Sequence, residues 1–131
     1  MAVWSTSAFA DVVNLTATMN GSQEAPAQTI KVMTASGAFK GSVTTTAKGY
    51  RLSWRLTFAG LSGKATFALI DKGDVHQHGP LVISLCGPCR SGAHGVAYMS
   101  PGEMYLAGRG DLYVNVYTEK NPSGEIRGQL K

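Results

Sequence analysis

Tyr50-Arg51-Leu52-Ser53-Trp54-Arg55-Leu56-Thr57-Phe58-Ala59 alternates apolar and polar side chains without a break. Successive side chains of an extended chain point to opposite faces, so this stretch has one greasy face and one wet face. It predicts a strand of an antiparallel sheet packed on one side. Gly49 and Gly60 bracket it, and Leu61-Ser62-Gly63 supplies the next turn. Working outward, strands are expected at 12–19, 38–46, 64–70, 81–85, 95–99, 112–118 and 125–130. Asn121-Pro122-Ser123-Gly124 turns the last two into a hairpin. Gly37 and Gly41 read as a turn and a bulge. A helical turn is expected at 101–106, with Ser100 as N-cap, Pro101 in its first position and Gly108 as its stop. Seven to eight short strands with frequent turn signals predict an all-β, antiparallel Greek-key β-sandwich.

The 131 residues are one domain's worth, and 44% hydrophobic content is enough for one core, so 11–131 are read as a single β-sandwich domain. No stretch approaches the ~18 apolar residues of a membrane span. Twelve Lys and Arg against eight Asp and Glu give a net charge of +4. The cations are scattered rather than clustered among aromatics, which argues against a nucleic-acid interface. An acidic partner protein, or peripheral association with an anionic membrane surface, fits the charge better. Residues 1–10 end in Ala8-Phe9-Ala10, a signal-peptidase pattern, but lack the basic start and longer apolar run of a full signal. They are read as a signal-peptide remnant or a leader added in cloning. With the even, closely spaced pair Cys86 and Cys89, this places the chain outside the cytoplasm: periplasm, lumen or secreted.

Leu112-Tyr113-Val114-Asn115-Val116-Tyr117-Thr118, followed by Asn121-Pro122-Ser123-Gly124-Glu125-Ile126-Arg127-Gly128-Gln129-Leu130, resembles the ending "YVNVHT … NPxGEIRGQL" of the CHRD family. That family is named for a domain of chordin and is widespread in bacterial secreted proteins. Gly21-Ser22-Gln23-Glu24-Ala25-Pro26 is similar to its "GxQEVPP", and Ala35-Ser36-Gly37 to its "ASG". Residues 50–63 resemble the strand and "GLxG" turn that precede its "AHIHxG". The resemblance runs from Leu15 to Leu130. The chain departs from the pattern where Ala68-Leu69-Ile70-Asp71-Lys72-Gly73 stands for "AHIHxG" and where Tyr117 stands for the histidine of "YVNVHT". Any metal or catalytic role that the resemblance would assign to those histidines is lost here, because Leu cannot bind copper or zinc and Tyr rarely does.

Other residues offer chemistry of their own. His76 and His78, at i and i+2, lie on one side of a locally extended chain. With His94, and with or without Cys86 or Cys89, they are candidate copper or zinc ligands, a relocated site. The plainer reading, favoured because no spacing matches a strong metal motif, is a set of surface-loop histidines. Cys86-Gly87-Pro88-Cys89 carries the lettering of a thioredoxin redox motif, but Arg90-Ser91-Gly92-Ala93-His94-Gly95 is poor helix-forming sequence. A structural disulfide is the preferred reading, ahead of metal ligation and a redox pair. Glu24 reads as stabilising a turn. No acid/base pair, G-x-S-x-G nucleophile motif or phosphate-cradling loop is present.

The expected function is a non-enzymatic, extracytoplasmic binding or accessory module, an interaction or structural subunit of a larger assembly with a protein partner. Tyr113, Tyr117 and Arg127 are its candidate binding face, since alternation sets the two tyrosines opposite Leu112, Val114 and Val116. The alternatives are a copper or zinc protein using the relocated site, and a thiol-disulfide oxidoreductase using Cys86 and Cys89. No cofactor is otherwise expected.

Overall fold

A computed structural model of the chain describes residues 12–131. The reading of 1–10 as a signal remnant or added leader lies outside the described residues. Eight antiparallel strands follow one another as β1 (Val12–Asn20), β2 (Ser36–Thr46), β3 (Gly49–Ala59), β4 (Ala65–Lys72), β5 (Leu81–Cys86), β6 (Ala93–Met99), β7 (Leu112–Thr118) and β8 (Ile126–Gln129). One helix, α1 (Pro101–Arg109), joins β6 to β7. The strands form a single sheet in the order β5-β4-β7-β8-β1-β2-β3-β6. The chain crosses between its two halves after β3, after β5 and again through α1. The β5-β4-β7-β8 half joins the β1-β2-β3-β6 half narrowly: Asn20 pairs with Arg127, and Thr16 exchanges backbone hydrogen bonds with Lys131 at 3.0 and 2.9 Å. The result is an all-β, sandwich-like or barrel-like fold around one core.

The alternation in 50–59 is the reason for that core. Leu52 and Leu56 are fully enclosed and Trp54 nearly so, stacked on Phe39 of β2 with ring centroids 6.4 Å apart. Leu15, Ile70, Val114, Val116 and Ile126 close the interior from the other strands. Each such aliphatic side chain contributes about 1.5–3 kcal/mol by leaving water. Gly37 and Gly41 are not a turn and a bulge: β2 pairs in unbroken register from Ser36 to Thr46. A Cβ on Gly41 would lie 2.6 Å from Leu52 Cδ1, and one on Gly37 would lie 2.8 Å from the Thr57 carbonyl oxygen. These glycines are required by close packing.

The helix runs past its expected end. Ser100 caps it as anticipated: its Oγ accepts from the Glu103 amide at 3.1 Å, while Glu103 accepts from the Ser100 amide at 2.8 Å. Gly108 sits inside the helix with open space around it, and Gly110, at φ +80°, is the left-handed terminator. No helix among the described residues is long and apolar enough to cross a membrane.

Candidate functional site

Alternation along β7 places Leu112, Val114 and Val116 in the core and Tyr113, Asn115 and Tyr117 on the opposite face. That face is not open to water. Register sets Tyr113 between Asp71 and Gln129, and Asn115 between Leu69 and Arg127. Over this polar patch of β4, β7 and β8 fold two long connections, 21–35 between β1 and β2 and 73–80 between β4 and β5. Tyr113 and Arg127 are 0% and 1% exposed, and Tyr117 is half-buried. The expectation that Tyr113, Tyr117 and Arg127 form an exposed binding face is therefore corrected. Period two says which residues share a side of a sheet; it cannot say whether a distant loop covers that side.

Arg127 fastens the 73–80 connection. Its guanidinium lies 3.5 Å from the centre of the Tyr113 ring and donates to the carbonyl oxygens of Asp74, at 2.7 Å, and of Gln77. It donates also to Gln129 Oε1, whose amide nitrogen in turn donates to the carbonyls of Gly73 and Gly110 at 3.0 and 2.9 Å. The Gly79 amide donates to the Tyr113 hydroxyl at 3.1 Å. A buried charge is tolerable only when its donors are engaged in this way.

Beside this cation stands an acidic pair of unlike character. Tyr117 donates its hydroxyl to Asp71 Oδ2 at 2.7 Å. Burial raises the pKa of Asp71, opposed by the Tyr117 hydrogen bond and by the nearby charges of His78 and Arg127. Burial also raises that of Tyr117, so the phenol stays protonated. Glu24 comes from the 21–35 connection, where the Gly21–Gln23 3₁₀ turn delivers it. Burial pushes its carboxyl up from 4.5 to about 8, moderated by Asn115 and Arg127. The ends of Glu24 and Asn115 meet over Gly124, where a Cβ would lie 2.7 Å from the Asn115 amide. Gly124 has φ +123°, and only glycine meets both demands without strain. Both carboxyl oxygens of Glu24 and both amide atoms of Asn115 lack a partner of hydrogen-bonding geometry. Burial thus favours the protonated form of Glu24, and it is the Glu24 amide, donating to the Gly21 carbonyl at 3.1 Å, that closes the turn.

A third buried carboxyl group, that of Glu125, is fully engaged. Ser62 donates to it through its amide, at 2.8 Å, and through its hydroxyl; Thr118 and Asn121 donate at 2.9 Å each. Although burial opposes ionisation, these donors hold the Glu125 pKa below its ordinary value. Asn121 reaches on to Ile30, accepting from its amide at 2.8 Å and donating to its carbonyl at 2.9 Å, so the 21–35 connection is pinned as well.

The model of the CHRD domain matches residues 15–130. The chain belongs to the CHRD family. No curated protein and no solved structure matches it. The segments that carry the resemblance, separated by as many as a hundred positions, converge here: Glu24, Asp71, Asn115, Tyr117, Gly124, Arg127 and Gln129 line one polar layer. CHRD membership points to a small extracellular-type binding or accessory module. Asp71 and Tyr117, which stand where the family pattern has histidines, are hydrogen-bonded to each other.

The remaining candidates are dispersed. His76 and His78 are exposed in the 73–80 connection, His76 with φ +72°, while His94 is exposed on β6 beside Arg55. Among the described residues no three His, Cys, Asp or Glu side chains are gathered as a metal requires, and His76, His78 and His94 are not brought together. Cys86 and Cys89 have their sulfurs 2.08 Å apart, a disulfide. Cys86 ends a strand, and the next element is β6, so no helix N-terminus is there to favour a thiolate.

Proposed function

We propose that this CHRD domain is a non-enzymatic binding or accessory module acting outside the cytoplasm, as an interaction or structural subunit of a larger assembly. One observation carries the reading: Asn121, Glu125, Arg127 and Gln129 of the family signature are engaged in closing the fold. Arg127 and Gln129 hold the 73–80 connection against the sheet, Asn121 holds the 21–35 connection, and Glu125 holds the turn at Ser62. None presents a nucleophile beside a base in an open cleft, as group-transfer chemistry would need. The same engagement gives a rigid scaffold whose outer surfaces remain for recognition.

Purification from the native compartment without chelators tests the proposal. Native mass spectrometry should find the chain in a stoichiometric complex with another protein, and elemental analysis should find no bound copper or zinc. Copper or zinc near one atom per chain would overturn it in favour of metal handling. Reduction of insulin disulfides, abolished by Cys86→Ser, would overturn it in favour of thiol exchange.

A further inference from the structure

Among the described residues the carboxylates are absent from one half of the sheet. β1, β2, β3 and β6 contain no Asp or Glu, and the carboxylates of the described residues all lie elsewhere: Glu24, Asp71, Asp74, Glu103, Asp111, Glu119 and Glu125. The cations on these strands are Lys40, Arg51 and Arg55. Register sets Thr16 opposite Lys40, Lys40 opposite Arg55, and Arg55 opposite His94, on four neighbouring strands. Directly opposed residues share a face, and the side chains of Lys40, Arg55 and His94 are all exposed. Strands are about 4.8 Å apart, so ammonium, guanidinium and imidazole stand in a line roughly 10 Å long. The ion pair found among the described residues, Arg109 with Asp111, lies far along the chain beside α1.

Like charges directly opposite one another weaken a sheet. Here they line an open depression of about 550 Å³, together with the neutral donors and acceptors of Asn14, Ser42 and Ser53 in the adjacent cross-strand row. Val96 and Tyr98, 48% and 50% exposed, continue the same face of β6. We infer that this outer face of β1-β2-β3-β6 is the docking surface of the module, and that its partner is an acidic polypeptide segment carrying carboxylates beside apolar side chains. The inference rests on the binding-module reading and names its surface. Complementary charge argues for the acidic partner. The adjoining Val96 and Tyr98 favour a polypeptide over a sulfated sugar chain, which has no apolar side chains to set against them.

Fluorescence anisotropy with a labelled peptide of alternating Glu and Val or Tyr tests this, using the whole chain. Binding should saturate at one peptide per chain and weaken about tenfold or more between 50 and 300 mM salt. The triple variant Lys40→Ser, Arg55→Ser, His94→Ser should lose about tenfold or more in affinity. It should unfold at the same or a slightly higher temperature, because opposed cations have been removed. Lys64→Ser with Lys120→Ser removes as much formal charge from elsewhere and should stay within about twofold of the original affinity. No binding, equal losses in both variants, or tighter binding of heparin fragments or phosphatidylserine vesicles would overturn the inference. A native complex that survives the triple variant would refute this surface and leave the binding module standing. Absence of any complex for the unaltered chain would refute the module itself.

Discussion

Arg127 illustrates how a single residue can be read correctly for its side of a strand and wrongly for its surroundings. Its guanidinium is stacked on Tyr113 and spends its donors on the carbonyls of Asp74 and Gln77. Arg127→Ala would leave those acceptors covered and unpaired, at about 2–4 kcal/mol. Chemical denaturation should show that loss, and hydrogen exchange should accelerate in 73–80 before the rest of the molecule. A variant with unchanged stability would mean that the connection is held by something else. Glu24 makes a prediction of opposite kind. Its carboxyl is held near 8 in the fold against 4.5 ordinarily, so the native state binds its proton more tightly than the unfolded chain does. This contribution to stability is therefore full below about pH 4.5 and falls as pH rises toward 8, by the order of 1–3 kcal/mol, with Asp71 acting in the same direction. Glu24→Gln should match the parent near pH 5 and exceed it near pH 8 in urea midpoints. Parallel pH profiles would contradict that account.

Among the elements, strand positions were legible because alternation and turn residues are local signals; all eight expected strands form, with ends shifted by a few residues. α1 outran its prediction because a glycine with room around it does not end a helix, whereas Gly110 in the left-handed region does. Gly41 was misread because its reason is the side chain of Leu52 on the next strand. The Cys86–Cys89 bridge belongs to this scale as well. It closes a very short loop after β5, and Cys89 donates its amide to the Ala65 carbonyl at the start of β4. A short loop has little closure entropy to remove, so Cys86→Ser with Cys89→Ser should cost about 1–2 kcal/mol, or roughly 3–8 °C in Tm. The strands should persist in far-ultraviolet circular dichroism. Loss of the fold would show that the bridge organises more than its own loop.

Across the whole molecule, neighbours in the sheet are often distant in the chain: β4 pairs with β7, β3 with β6, and β8 with β1. Such pairings require long loops to close before contacts repay them, so refolding should fall in the millisecond-to-second range. Stopped-flow tryptophan fluorescence, reporting Trp54 in the core, measures this; microsecond refolding would contradict the topology argument. The same topology collects the uncharged and basic strands into one half and all the described carboxylates outside it. Scattered cations in a linear sequence become a lateral row when strands pair.

The order of residues was sufficient for the strands, their inward faces, the helix cap and membership of the CHRD family, because each depends on neighbours in the chain or on recurring motifs. It could not reveal that Tyr113 and Arg127 are roofed, that Glu24 meets Asn115 over Gly124, or that Lys40, Arg55 and His94 stand side by side. Those facts come from pairing across the sheet and from loops folded over it. Burial and electrostatic interaction depend on distance in space, and only the tertiary structure sets that distance.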